Sequence, residues 1–147
     1  MHDLYASDPH LINTEANLDL TFAELNKHPE KGRIIVFDQD GGVVGYAIVI
    51  HFWSNEYKGN ILEIDELCVA SNQRSKGLAS KFIAWLETES SDTATGLSLQ
   101  VAHSNERAAD LYERLGFKLS RNRHLLKMLG DKPSLSLPTV ALSNSIV

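Results

Sequence analysis

The feature that most constrains this chain is a short basic loop set between a strand-like run and a helical one. Ile61-Leu62-Glu63-Ile64-Asp65-Glu66-Leu67-Cys68-Val69 is rich in apolar residues. Arg74-Ser75-Lys76-Gly77-Leu78-Ala79 follows, and Leu78, Phe82, Trp85 and Leu86 then recur on one helical face. A strand, a basic glycine-containing turn and a helix, in that order, leave backbone N–H groups bare at the positive helix end. Such an end suits a pyrophosphate. Gly77 permits close approach of that group, because a side chain there would fill the phosphate space.

The flanking segments extend the pattern. Leu18, Phe22 and Leu25 predict a helix ending near Asn26 to His28, stopped by Pro29 and Gly32. Ile34 to Phe37 is strand-like, Asp40-Gly41-Gly42 is a hairpin turn, and Val43 to Trp53 is its partner strand. Leu97 to Val101 alternates as a half-exposed strand. Asn105 to Leu115 reads as a second amphipathic helix, capped by Ser104 or Asn105 and closed by Gly116. Phe117 to Leu119 and His124 to Leu129 are expected to be closing strands. A single domain over residues 1–129 is expected, followed by a tail over 130–147 with apolar Leu135, Leu137, Val140, Leu142 and Ile146.

Two motifs on these elements resemble those of the GCN5-related N-acetyltransferase (GNAT) family. Arg74, Gly77 and Ala79 match its Gln/Arg-x-x-Gly-x-Gly/Ala motif. Asn105, Ala108 and Tyr112, with Gly116-Phe117 beyond, match its Asn-x-x-Ala-x-x-x-Tyr motif. The resemblance runs from about Arg33 to Met128. It implies an α/β (α+β) fold with a mixed, mostly antiparallel central sheet flanked by helices. Only about 30 residues precede the hairpin, so the family's usual first strand is expected to be missing or replaced. The resemblance also implies acetyl-coenzyme A as acyl donor. Its pyrophosphate would lie on Arg74, Ser75, Lys76, Gly77, Leu78 and Ala79. Its pantetheine arm would lie along Leu67, Cys68 and Val69, where the family carries a bulge, with Asn105 on the arm's other side. Tyr112 would stand beside the sulfur as general acid, and the N–H of Cys68 or Leu67 would stabilise the oxyanion.

Acyl transfer to an amine needs a neutral amine, a stabilised carbonyl oxygen and an acid for the departing thiolate. Glu63, Asp65 and Glu66 are carboxylates on a strand that otherwise reads as buried, which is costly without a role. In a regular strand Glu63 and Asp65 share one face and Glu66 takes the other. Asp65 and Glu66 lie nearest the cofactor segment and are the candidate bases. Solvated residues on an open sheet face are the alternative. His51 and His103 are remoter candidates as proton carriers, with ordinary strand-end histidines the alternative. The loop Phe52-Trp53-Ser54-Asn55-Glu56-Tyr57 is an aromatic, acidic rim suited to a cationic amine, or equally a cover for the sheet edge. The expected acceptor is the primary amine of a small molecule.

Composition narrows the alternatives. Fourteen basic against nineteen acidic residues give a net charge of -5, which argues against nucleic acid as partner. Cys68 is the single cysteine, so no internal disulfide forms. No apolar run reaches membrane-spanning length, and no leader or paired metal-ligand spacing is visible. A cytoplasmic protein, without metal or membrane partner, is expected. The apolar tail suggests a homodimer. A non-catalytic coenzyme A-binding or sensing module, or an interaction domain that no longer binds cofactor, remain competing readings.

Overall fold

Two antiparallel pairings and one helical crossover build the molecule. The computed structural model describes residues 18–122, 124–127 and 129. Helix α1 spans Leu18–Lys27, and a 3-10 turn at Pro29–Lys31 leads into β1, Gly32–Gln39. Strands β2, Gly42–Ser54, and β3, Gly59–Val69, follow. A second 3-10 turn, Ser71–Gln73, precedes α2, Leu78–Ser90; β4, Gly96–Leu99, and α3, Glu106–Arg114, come last. The sheet order is β1-β2-β3-β4. The first three strands are antiparallel and β4 lies parallel to β3. A parallel neighbour requires a crossover, which α2 supplies.

The hairpin turn has a direct cause. Asp40 and Gly41 both adopt positive φ, 55° and 78°, the conformation that matches the twist of the flanking strands. Asp38 Oδ1 accepts from the Gly41 N–H at 3.1 Å and holds the turn.

Alternation along the strands divides the apolar residues between two faces. Ala47, Val49, Leu62 and Ile64 pack under Phe82, Ile83 and Leu86 of α2, with Tyr112, Leu115 and Phe117 at the margin. Tyr46, Ile48 and Cys68 face the other way and pack with Leu18 and Leu25 of α1. Phe37 and Phe82 stack at 5.2 Å between ring centroids. Arg33 pairs with Glu89 and lies over the Trp85 ring at 5.6 Å, tying β1 to the end of α2.

The architecture is the mixed, mostly antiparallel sheet flanked by helices that the motifs imply. The expected strands at Phe117–Leu119 and His124–Leu129 are not formed among the described residues. The strand expected at Leu97–Val101 starts one residue earlier and stops at Leu99. A four-residue β4 leaves no long edge for closing strands, and Leu119, Leu125, Leu126 and Leu129 stand largely exposed. The expectation of a missing or replaced first strand, which concerns the residues before Leu18, and the expected tail over 130–147 lie outside the described residues. No described helix is long and apolar enough to cross a membrane.

Gly45 of β2 lies close against both β3 and the Phe37 ring of β1. A Cβ there would lie 2.6 Å from the Cys68 carbonyl oxygen and 2.7 Å from Phe37 Cδ2. Gly45→Ala is expected to cost about 1–3 kcal/mol as an overpacking change. Urea unfolding measures it; an unchanged midpoint would show that the two strands separate more readily than this contact implies.

Candidate active site

One extra residue in β3 opens the sheet. Ile48 pairs with Glu66 and Val49 with Ile64, so Asp65 has no partner on β2. This is a β-bulge, which bends the strand and increases its local twist. The β3–β4 ladder ends at Ile64↔Leu99, whereas β3 continues to Val69. Beyond Ile64 the two strands part, at the carboxyl ends of two parallel strands. That is where open α/β sheets hold ligands.

Register decides which backbone groups face the gap. Ala70 donates to the Val44 carbonyl at 2.9 Å, and hydrogen-bonded and non-bonded pairs alternate along an antiparallel ladder. Cys68 opposite Tyr46 is therefore a bonded pair, turned toward β2. Leu67 opposite Ala47 and Val69 opposite Gly45 are non-bonded pairs, with N–H and C=O turned to the gap. Arg74 Nε reaches the Val69 carbonyl from that side at 2.9 Å.

The basic loop borders the gap. Gly77 is the N-cap of α2 with φ 79°, and no side chain caps this helix. The first intrahelical bond runs from Lys81 N–H to the Gly77 carbonyl at 3.0 Å, so the N–H groups of Leu78, Ala79 and Ser80 precede the ladder. A Cβ on Gly77 would meet no protein atom within 4 Å. Glycine is favoured there by its left-handed conformation, not by packing on the sheet. Ser75 also has positive φ, 66°, and its Oγ accepts from Arg107 of α3 at 2.5 Å. Lys76 Nζ donates to Gln73 Oε1 at 2.8 Å. Bare N–H groups, open space over a glycine and three cations on or against the loop fit a pyrophosphate group.

Helix α3 brings the second motif to the same opening. Asn105 is its N-cap, and Oδ1 accepts from the Ala108 N–H at 3.2 Å, leaving its amide NH2 for another partner. Tyr112 packs edge-on against Phe117 at 5.7 Å. Its hydroxyl makes no hydrogen bond to any described residue, and burial pushes its pKa up. It is held as a neutral phenol.

The carboxylates lie around the bulge. Glu63 accepts from the Ser98 hydroxyl of β4, and Glu66 from the Tyr46 hydroxyl of β2. The bulge changes the expected alternation: Glu63 and Glu66 fall on the same face, the α1 side, rather than on opposite faces. Asp65 is exposed, and its pKa is raised by desolvation and then by the nearby Glu63 charge. Tyr112, among the residues packed under α2, lies on the opposite face.

Two candidate segments lie away from the gap. The aromatic rim, with Trp53 and Tyr57 exposed, sits at the Gly59 end of β3. At strand rise that is about 26 Å from Leu67, so it does not border the gap. His51 pairs with Leu62, toward the same remote end, and burial and Arg33 lower its pKa. Cys68 is buried at 1 % exposure, a core residue rather than an accessible nucleophile. Sequence reasoning missed Arg107, Tyr46 and Ser98. Arg107 carried a signal: a cation in the first turn opposes the helix dipole and needs a compensating partner. Tyr46 and Ser98 become visible only through strand register.

The chain belongs to the acetyltransferase (GNAT) family, whose model matches residues 1–117. Solved structures agree on the fold. An integron cassette protein from the mobile metagenome of Cole Harbour Salt Marsh is 25 % identical with TM-score 0.64, over 77 % of this chain and 70 % of that one. A possible acetyltransferase from Clostridium difficile 630 gives 22 %, TM-score 0.66, and 79 % and 80 % coverage. A ribosomal-protein-alanine N-acetyltransferase from Brucella melitensis gives 20 %, TM-score 0.62, and 75 % and 79 % coverage. No curated protein matches the chain.

Gly77→Val tests the loop. The side chain meets open space within the protein but forces a β-branched residue into the left-handed region, a strain of about 1–2 kcal/mol. Isothermal titration is expected to show coenzyme A affinity falling at least about tenfold, beyond what the loss of stability explains. Parental affinity in a folded Gly77→Val protein would remove the loop from the site.

Proposed function

We propose that this chain is an acetyl-coenzyme A-dependent N-acetyltransferase, moving an acetyl group to the primary amine of a small molecule by direct attack. The observation that carries this reading is the gap beyond Ile64↔Leu99. It lies between a loop suited to pyrophosphate and a group of strand carboxylates. Leu67 turns its N–H into it.

The bound donor supplies an activated acetyl carbonyl, and the remaining tasks fall to the chain. The loop N–H groups from Ser75 to Ser80, with Arg74, Lys76 and Arg107, hold the phosphates. Leu67 and Val69 offer backbone groups to the amide-bearing arm, and the Asn105 amide closes on it from α3. The Leu67 N–H donates to the carbonyl oxygen as charge develops; the Cys68 N–H, turned to β2, is not available for this. Tyr112 gives its proton to the departing sulfur. Its raised pKa keeps that proton in place at neutral pH. Asp65 takes the proton from the amine. Its raised pKa makes it a better base than an ordinary aspartate.

The carboxylates on the α1 side and Tyr112 on the α2 side suit approach of the amine from the face opposite the acid. The net charge of -5 favours a cationic acceptor over an anionic one.

The test is thiol release from acetyl-coenzyme A across panels of small amines, amino acids, aminoglycosides and peptides. Tyr112→Phe is expected to lower kcat by roughly 10- to 1000-fold with little change in cofactor affinity. An unchanged kcat would remove Tyr112 from the acid role. Asp65→Asn is expected to cost roughly 100-fold in kcat/KM. In the parent, kcat/KM should fall as pH drops through the raised Asp65 pKa. Stability should move oppositely. A carboxyl whose folded pKa is raised makes folding less favourable once pH exceeds its unfolded value. Asp65→Asn should therefore be at least as stable as the parent at pH 7. Tight cofactor binding with no amine turnover would point instead to a sensing module.

A further inference from the structure

Ser98 is the one polar side chain of β4, whose sequence is Gly96-Leu97-Ser98-Leu99. Leu97 and Leu99 pack with the core on the α2 side, so Ser98 turns to the α1 side. Opposite it in the parallel ladder stands Glu63, one pair before β3 and β4 part beyond Ile64↔Leu99. The Ser98 hydroxyl donates to the Glu63 carboxylate. Both residues are half-buried. A hydroxyl in that setting needs a partner, and a bond to a charged oxygen is among the stronger ones. Glutamate loses several side-chain torsions when it is held. Serine has a single one, on a strand, and so offers the carboxylate a set point. Asp65 follows two residues on, at the bulge, within about 7 Å along the strand. The titratable groups that α1 and the strands bring to this face are Tyr46, Glu63, Glu66, Asp19, Glu24 and Lys27. Desolvation and then the Glu63 charge raise the Asp65 pKa.

We propose that Ser98 is a positioning residue: from β4 it holds the Glu63 carboxylate beside Asp65, and that fixed negative charge favours proton transfer from the cationic amine to Asp65. This rests on the acetyltransferase reading. The amine nitrogen loses the proton and the Asp65 carboxylate gains it; neither Ser98 nor Glu63 exchanges one. A Glu63 turned out into water would act on Asp65 through solvent, where its charge is screened. A purely structural hydroxyl, tying β4 to β3 beside the gap, would alter stability and cofactor binding but not the proton affinity of the base.

Ser98→Ala in the full chain tests it. With the best amine found for the parent, the acid limb of kcat/KM against pH should move about 0.5–1 pH unit lower, as Asp65 loses the neighbouring charge. Glu63→Gln should move it in the same direction by at least as much. The acetyl-coenzyme A KM should stay within about twofold. Ser98→Thr, which keeps the hydroxyl, should leave the limb where the parent has it. In the Asp65→Asn background, Ser98→Ala should add no further loss. An acid limb that stays in place in Ser98→Ala, or a full additional loss in the double variant, would overturn the positioning role. A second readout needs no turnover. The side-chain carboxyl carbon of Asp65, assigned with Asp65→Asn, should titrate at lower pH in Ser98→Ala and in Glu63→Gln than in the parent. An unmoved midpoint in Ser98→Ala overturns the coupling itself. A moved midpoint with no amine turnover in the parent overturns the acetyltransferase reading, and with it the part of Ser98 in the reaction.

Discussion

The unpaired Asp65 sets the geometry on both sides of β3. Antiparallel pairing to β2 tolerates the extra residue by bending the strand, and β4 does not follow the bend. The result is a gap with backbone groups of Leu67 and Val69 directed into it. A regular β3 would have continued its ladder with β4 and used those groups for sheet pairing. The bulge also resets the alternation, bringing Glu63 and Glu66 to one face. Opening the sheet and gathering the carboxylates are thus two effects of a single local irregularity.

Charge is handled locally. The chain is acidic overall, at -5, yet the fold places Arg74, Lys76 and Arg107 on or against one loop. Arg74 also fastens the loop to the end of β3 through the Val69 carbonyl. Arg107 reaches it from α3 through Ser75. The two motifs, more than twenty residues apart in sequence, therefore meet at one surface. A helix N-terminus without a side-chain cap completes it.

Features set by local chemistry were legible in the sequence. The Asp40-Gly41 turn, the Gly77 loop, the Asn105 cap and the helical faces all follow from residue type and short-range spacing. Features set by pairing were not. The bulge at Asp65 is a mismatch between two strands, so Glu66 was assigned to the wrong face, and neither Tyr46 nor Ser98 could be matched to its carboxylate. Among the described residues the closing strands do not form: apolar residues at Phe117–Leu119 lack a long β4 edge to pair with. The role of the aromatic loop was left open although topology contained the answer. A hairpin loop that enters β3 lies at its amino end, whereas the loop leading to α2 lies at its carboxyl end.

The most direct test of the gap as the acyl-donor site is an amide-resolved NMR titration of the chain with acetyl-coenzyme A. The N–H signals of Leu67, Val69 and residues Gly77 to Ser80 should shift together with one saturable affinity. Those of Cys68, turned to β2, and of the remote Trp53 to Tyr57 loop should move little. Saturable binding that leaves Leu67 and the Gly77 loop unperturbed would contradict the assignment of the site to the opening beside the bulge.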